Sequence, residues 1–243
     1  VQSGTSDDGL GFLGILMKRF VPVFLLSIAL LAAQPGPPSV KELVERFDAA
    51  QAKVTSLQAQ FTLTIRRALL RTPTVTKGTL YLQSSDFVHF GFAPPEDLIL
   101  HLTVKELISY SPGAGEGELL KIGMIRNHDR RFLGLGQKLS ELSDYFQLSV
   151  SEDKEVPGCY LATLLPSSYN LRKRFKVLYL WIDRDKYLPK QVTWVERSGD
   201  TWQLELGNLQ VNQQLPAAVT GFKVPAGTPM RSEFSFFATR KSK

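Results

Sequence analysis

Cysteine is nearly absent: the chain of 243 residues has one, Cys159. No intramolecular disulfide can form, so the fold must stand on its core alone. A lone thiol in an apolar stretch is expected to be a buried strand residue. Histidine is almost as scarce, with three residues, His89, His101 and His128. A metal site needs three or four ligands, so this supply argues against one, and no metal or cofactor is expected. His128, beside Asp129, reads as a loop residue rather than half of a catalytic dyad. Also missing are a nucleophile elbow, a zinc-protease helix motif, a P-loop and a dinucleotide-binding turn. The glycines at 113–117 and 134–136 do not sit between a strand and a helix, and Asp183 and Asp185 fall in a turn. Nothing positions a nucleophile, an acid–base pair or a metal, so an enzyme is the weakest reading. No internal repeat and no convincing domain boundary interrupts the chain.

Charge is modest and one-sided. The formal net charge is +6, which favours anionic neighbours but is too diffuse to point to nucleic acid. Two basic runs stand out, residues 172–176 and 240–243. Each is placed for anionic lipid or an acidic partner, and each is equally a solvated strand start or chain end.

What is plentiful is apolar sequence, 43% of the chain. Its first concentration, residues 20–33, carries no charge and follows Met17-Lys18-Arg19. A positive segment followed by an apolar run of this length is the pattern of an export signal, too short for a comfortable membrane span. Met17 is the expected start and Ala33 the expected cleavage point. Residues 1–33 are therefore read as an upstream extension plus signal peptide, and 34–38 as a proline-rich spacer. A main domain is expected over 39–230 and a basic tail over 231–243.

Ser39 and Glu42 have the spacing of a helix-capping box, and Val40, Leu43, Val44, Phe47 and Val54 share one helical face. A helix is predicted from Ser39 to about Lys53. The pattern then changes to period two. Leu57, Ala59, Phe61, Leu63 and Ile65 alternate with Gln58, Gln60, Thr62 and Thr64, as in an antiparallel strand with one face buried. Further strands are predicted near 75–83, 87–93, 97–103, 106–111 and 118–124, then 146–151, 159–165, 174–183, 188–197 and 201–213. The stretch 125–145 breaks the strand rhythm and ends in a short amphipathic helix around Leu139 and Leu142. The fold class is mainly β with a few helices: about eleven antiparallel strands in a meander.

One hairpin can be read residue by residue. With residues 93–97 as its loop, Phe92 faces Leu98, Phe90 faces Leu100, and Val88 faces Leu102, making one face wholly apolar. On the other face His89 lies across from His101, where both are expected to be ordinary solvent-facing side chains. The aromatic residues in the strands mean core, unless the sheet curves enough to enclose a cavity. Periodicity does not separate a filled interior from an open one.

The order of these blocks resembles the periplasmic outer-membrane lipoprotein carrier (LolA) family over about residues 40–230. The matching stretches are LVERFDAAQAKVTSLQAQFTLTI, GTLYLQSSDFVHFGFAPPEDLIL, LISYSP and LYLWIDRDKYLPKQVTWVERSGDTWQLELGNLQVNQQLP, with GFKVPAGTPM near the end. The resemblance implies an unclosed antiparallel β-barrel with a helical lid over its mouth. It implies a monomeric periplasmic carrier that shelters the acyl chains of a lipoprotein. Its partners would be the acylated cargo, an inner-membrane ATP-driven releasing complex and an outer-membrane acceptor. The residues then expected to line the cavity are Phe90, Phe92, Leu98, Leu100, Leu102, Tyr110, Tyr179, Trp181 and Trp194. Val40, Leu43 and Phe47 of the first helix, with Phe132, Leu133 and Leu135 of the insert, are the expected lid. Two rival readings keep the fold: a carrier of free lipid or glycolipid, and a periplasmic lipid-sensing regulatory domain.

The sequence departs from the family pattern twice. The family's lid-holding arginine is replaced by Gln83-Ser84-Ser85, leaving Arg66 or Arg67 as candidate substitutes. Thr103-Val104-Lys105-Glu106 stands where the family has an Asp-Gly-Lys turn.

Overall fold

The structure is a computed structural model, and it describes residues 36–84, 86–121, 138–153 and 155–232. The export signal, the lid positions Phe132, Leu133 and Leu135, and the basic tail beyond Ser232 lie outside the described residues. So do His128 and the predicted strand end at 122–124.

Helix α1 (Val40–Gln51) opens where the capping pattern places it. The Ser39 hydroxyl accepts the Glu42 amide at 3.2 Å, and Glu42 itself turns to Arg46 at 2.6 Å. A first meander follows: β1 (Ser56–Arg66), β2 (Thr74–Gln83), β3 (Phe87–Phe92), β4 (Ile99–Thr103), β5 (Glu106–Ser111) and β6 (Glu116–Lys121). After the insert come α2 (Leu139–Ser143), β7 (Phe146–Glu152), β8 (Cys159–Pro166), α3 (Tyr169–Arg174), β9 (Phe175–Asp183), β10 (Pro189–Glu196) and β11 (Thr201–Val211). The last described elements are α4 (Ala217–Thr220) and a two-residue β12 (Met230–Arg231).

The twelve strands among the described residues form one sheet in the order β12-β6-β5-β4-β3-β2-β1-β11-β10-β9-β8-β7, with β12 and β7 at its two ends. It is an open sheet and not a closed barrel. Strand β1 joins the two meanders, pairing with β2 on one side and β11 on the other. The β1–β11 register shifts between Gln58 and Gln60, beside Asn208, whose backbone has φ 49° and whose side-chain amide donates to Gln60 at 2.9 Å. A bulge of this kind adds twist where a wide sheet must bend.

Four elements depart from the sequence expectation. The basic run at 172–174 is the last turn of α3 rather than a strand start, because the Ser168 hydroxyl caps the Leu171 amide and starts a helix. Helix α4 and strand β12 have no counterpart in the sequence pattern; β12 pairs parallel to β6, with Met230 opposite Gly117. Strand β4 begins at Ile99, since residues 93–98 form a longer connection. Cys159 is fully buried at the start of β8, as expected, and burial raises its thiol pKa.

Candidate apolar face and its helical cover

Directly paired residues of antiparallel strands share a face, so the registers define the rows. One row runs Leu57, Leu82, Val88, Leu102. The next runs Ala59, Leu80, Phe90, Leu100. A third runs Phe61, Gly78, Phe92, and the Phe92 amide donates to the Leu98 carbonyl at 2.8 Å. The Phe61 ring meets Phe90 and Phe92 edge-on, with centroids at 5.4 and 5.1 Å. Gly78 makes room for it: a Cβ there would lie 2.8 Å from the Phe61 ring and collide with the Gly91 carbonyl.

Across β1 and β11 the same face continues. Trp194 is paired with Leu178, and Leu178 with Leu164, which is paired with Leu148. Val192, Leu180, Ala162 and Val150 form the neighbouring row. Trp194 stacks on Trp202 at 5.8 Å, and it packs against both halves of the apolar core.

Phe90, Phe92, Leu98, Leu100, Leu102 and Trp194 of the expected cavity set therefore come together on one face. Tyr110, Tyr179 and Trp181 do not. Tyr110 pairs with Ile99 and Gly117, Tyr179 with Thr193 and Thr163, and Trp181 with Gln191 and Leu161. These pairs belong to the opposite face, where the Trp181 indole donates to Asp153 at 2.6 Å. In β9 the inward positions belong to Leu178 and Leu180, and alternation puts the aromatic residues between them outside.

The cover over this face is helical. Leu43 and Phe47 of α1 are fully buried in the β7–β10 half of the core, together with Leu139 and Leu142 of α2. Val40 is exposed at the outer edge of α1. Polar contacts hold the cover in place. Asp48 accepts the backbone amides of Leu139 and Ser140 at 2.7 and 3.3 Å, capping α2 from α1. Arg46 donates to the Tyr187 hydroxyl at 2.9 Å. Asn212 donates to the Lys53 carbonyl and accepts from the Thr55 amide, at 2.9 and 2.8 Å, fixing the exit of α1. The sequence pattern does not single out Asp48, Arg46, Tyr187 or Asn212. Their partners lie far along the chain, and only the lack of a capping side chain at Lys138 hints that α2 needs an external acceptor.

Neither candidate substitute for the family arginine reaches toward α1. Arg67 pairs with Asp200 at 2.9 Å and lies over the Trp202 ring at 4.9 Å, and Arg66 donates to Gln203 at 3.1 Å. The Arg67 guanidinium holds the Asp200 carboxyl below its ordinary pKa. At the family position itself, Gln83 donates to Asp86 at 3.0 Å.

His89 and His101 are paired across β3 and β4, as the hairpin reading expects, but they are buried rather than solvent-facing. The segment after α4 lays Phe222 against both rings, with centroids at 5.2 and 4.9 Å. The two Nδ1 atoms lie 3.1 Å apart, so one ring donates to the other. Burial, helped by the neighbouring His101, lowers the His89 pKa to about 4, and burial lowers that of His101 as well. Among the described residues no group of three or more histidine, cysteine, aspartate or glutamate side chains is arranged to hold a metal ion. Among them, too, no helix is long and apolar enough to cross a membrane.

Comparison with known proteins gives the face a context. The family model described as "Outer membrane lipoprotein carrier protein LolA" matches residues 52–223. An outer-membrane lipoprotein carrier protein of Bordetella avium is 25% identical over 211 residues, which cover 87% of this chain and 97% of that protein. An uncharacterized conserved protein of Thermus thermophilus shares the fold, with a TM-score of 0.51 and 12% identity over 79% of this chain and 98% of its own. A LolA superfamily protein of Nitrosomonas europaea aligns with a TM-score of 0.40 and 8% identity, over 75% of this chain and 97% of its own.

Proposed function

We propose, from the premise that this chain belongs to the outer membrane lipoprotein carrier protein LolA family, that it is a non-enzymatic carrier of acylated lipoprotein in the periplasm. It would take cargo from an inner-membrane ATP-driven releasing complex and pass it to an outer-membrane acceptor. One observation carries this reading: among the described residues, the wide apolar face is covered over β7–β10 by two helices held through a few polar contacts, and not by a second sheet.

Each acyl methylene exposed to water costs about 0.8 kcal/mol, so three long chains cost on the order of 30 kcal/mol. A lipoprotein therefore needs an apolar shelter to cross an aqueous space. The shelter must also release. Helices that rest on the sheet through Leu43, Phe47, Leu139 and Leu142 can lift and let acyl chains take their place, whereas a hydrogen-bonded strand could not leave without breaking the ladder.

Site-specific photo-crosslinking in cells tests this reading. A photoreactive side chain at Phe92 is expected to capture an acylated protein, and one at Tyr179, on the opposite face, is not. Capture of free lipid alone at Phe92 would replace lipoprotein as the cargo. Equal capture at both positions would overturn the assignment of the face.

A further inference from the structure

A second surface lies at the end of the sheet where β1 meets β2. Leu69 is 97% exposed and Leu70 is 63% exposed at the tip of their connection. These leucines do not sit on a loose loop. The base of the connection is fixed by the Arg67–Asp200 pair at 2.9 Å, by the Ala68 amide donating to Asp200 at 2.9 Å, and by the Leu70 amide donating to the Arg67 carbonyl at 3.0 Å. It rests on the β10–β11 turn, where Gly199 takes the positive φ of 94° that favours glycine, and a Cβ there would make a tight 3.1 Å approach to that of Ala68.

That turn in its own right holds α3. The Arg197 amide donates to the Arg174 carbonyl at 2.9 Å, and its guanidinium to the Arg172 carbonyl at 2.6 Å. Helix α3 brings Arg172 and Lys173 to the same end, and it carries Tyr169, 64% exposed, with the Lys173 ammonium 4.3 Å from its ring centre. The result is one connected ledge. Two leucines and a tyrosine are exposed on it, and Arg66, Arg71, Arg172, Lys173 and Arg197 hold exposed positions on or beside the same three segments. Asp200 is already paired with Arg67, so it does not offset these charges.

We propose that this ledge docks the protein on an anionic lipid bilayer, with Leu69, Leu70 and Tyr169 entering the headgroup region and the arginines and lysine contacting lipid phosphates. The chemistry selects that partner. Exposed apolar tips among exposed cations match an interface that is apolar below and negatively charged above. Tyrosine, apolar in body and polar at its tip, is suited to the same depth. A carrier that settles on the membrane by this end would reach its exchange partners by diffusion in a plane. The docking itself does not depend on the nature of the cargo.

The test uses the full chain with Leu69→Cys carrying an environment-sensitive fluorophore; the native Cys159 is buried at 0% exposure and stays unlabelled. Val104→Cys, 57% exposed in the β4–β5 turn at the other end of the sheet, carries the same label as a control. The readout is local, so the apolar stretch 20–33 does not confound it. With vesicles of equal parts phosphatidylglycerol and phosphatidylcholine, the label at 69 is expected to shift to the blue and the label at 104 to stay in water. Pure phosphatidylcholine is expected to give little shift. Arg71→Ala and Lys173→Ala should each weaken binding on the order of fivefold. A label at 69 that stays in water on the anionic vesicles, or a label at 104 that shifts equally, would overturn the proposal. A label at 69 indifferent to vesicles but buried by a protein of the cell envelope would also overturn it, and would make the ledge a protein-docking surface.

Discussion

Asp48 on α1 caps α2 by accepting the amides of Leu139 and Ser140. This single carboxylate joins two helices of the cover across a long stretch of chain. Asp48→Ala is expected to destabilise the fold by about 1 kcal/mol, the usual effect of losing a helix cap. Hydrogen exchange at the Leu139 and Ser140 amides should speed up more than exchange in β9 or β10. Asp48→Asn, which keeps an acceptor oxygen, should retain most of the protection. Equal exchange in all three proteins would show that packing alone seats α2.

The His89–His101 pair gives stability a pH dependence of defined sign. A histidine whose folded pKa is lowered resists protonation in the folded state, while the unfolded chain takes up the proton freely. Stability is then complete above the ordinary value of 6.5 and is lost as pH falls from there toward about 4 for His89. The full effect is on the order of 3 kcal/mol. Urea unfolding between these pH values should show a falling midpoint, and the double substitution His89→Phe with His101→Leu should flatten that slope. An unchanged slope would mean that the acid sensitivity comes from elsewhere.

Gly78 lies between the Phe61 ring and the backbone of β3. Gly78→Ala forces a methyl group into filled space, and overpacking of this kind costs about 1–3 kcal/mol. Gly207, whose Cβ would meet nothing within 4 Å, is the control for loss of glycine in a strand. Chemical denaturation should separate the two substitutions, with only Gly78→Ala strongly destabilised.

Much of the first meander is legible in the sequence, because its strands alternate cleanly. The β1 pattern fixes its phase, and the short proline-containing connection fixes the pairing of Phe90 with Leu100 and of His89 with His101. Strand β9 is different. The stretch from Val177 to Ile182 is apolar at every position, so alternation gives no phase, and the bulk of Tyr179 and Trp181 points to the wrong face. Burial of the histidines depends on Phe222, and the seating of α1 depends on Tyr187 and Asn212. Such contacts leave no periodic trace, since they join segments far apart in the chain.

Arg67 and Asp200 make a half-hidden pair at the end of the sheet, with side-chain exposures of 19% and 14%. Arg67→Ala removes the pair, leaves the carboxylate poorly compensated and uncovers Trp202, so a loss of about 2–3 kcal/mol is expected. Because the Asp200 pKa is lowered, its contribution is present above the ordinary value of 3.8 and is lost as pH falls through the folded value. The variant should therefore differ most from the parent near neutrality and converge with it in acid. A constant difference across that range would assign the effect to packing on Trp202 instead.

The central claim is that acyl chains of a lipoprotein occupy the apolar face that Phe90, Phe92, Leu100 and Trp194 share, which α1 and α2 cover over β7–β10. Native mass spectrometry of the intact protein, recovered from cells without detergent, tests it most directly. A complex whose added mass resolves into a polypeptide bearing acyl chains, and which is lost when Trp194 is replaced by Glu in a chain that still folds, is the expected result. Protein that carries no acylated polypeptide while an acylated substrate accumulates beside it would contradict the account.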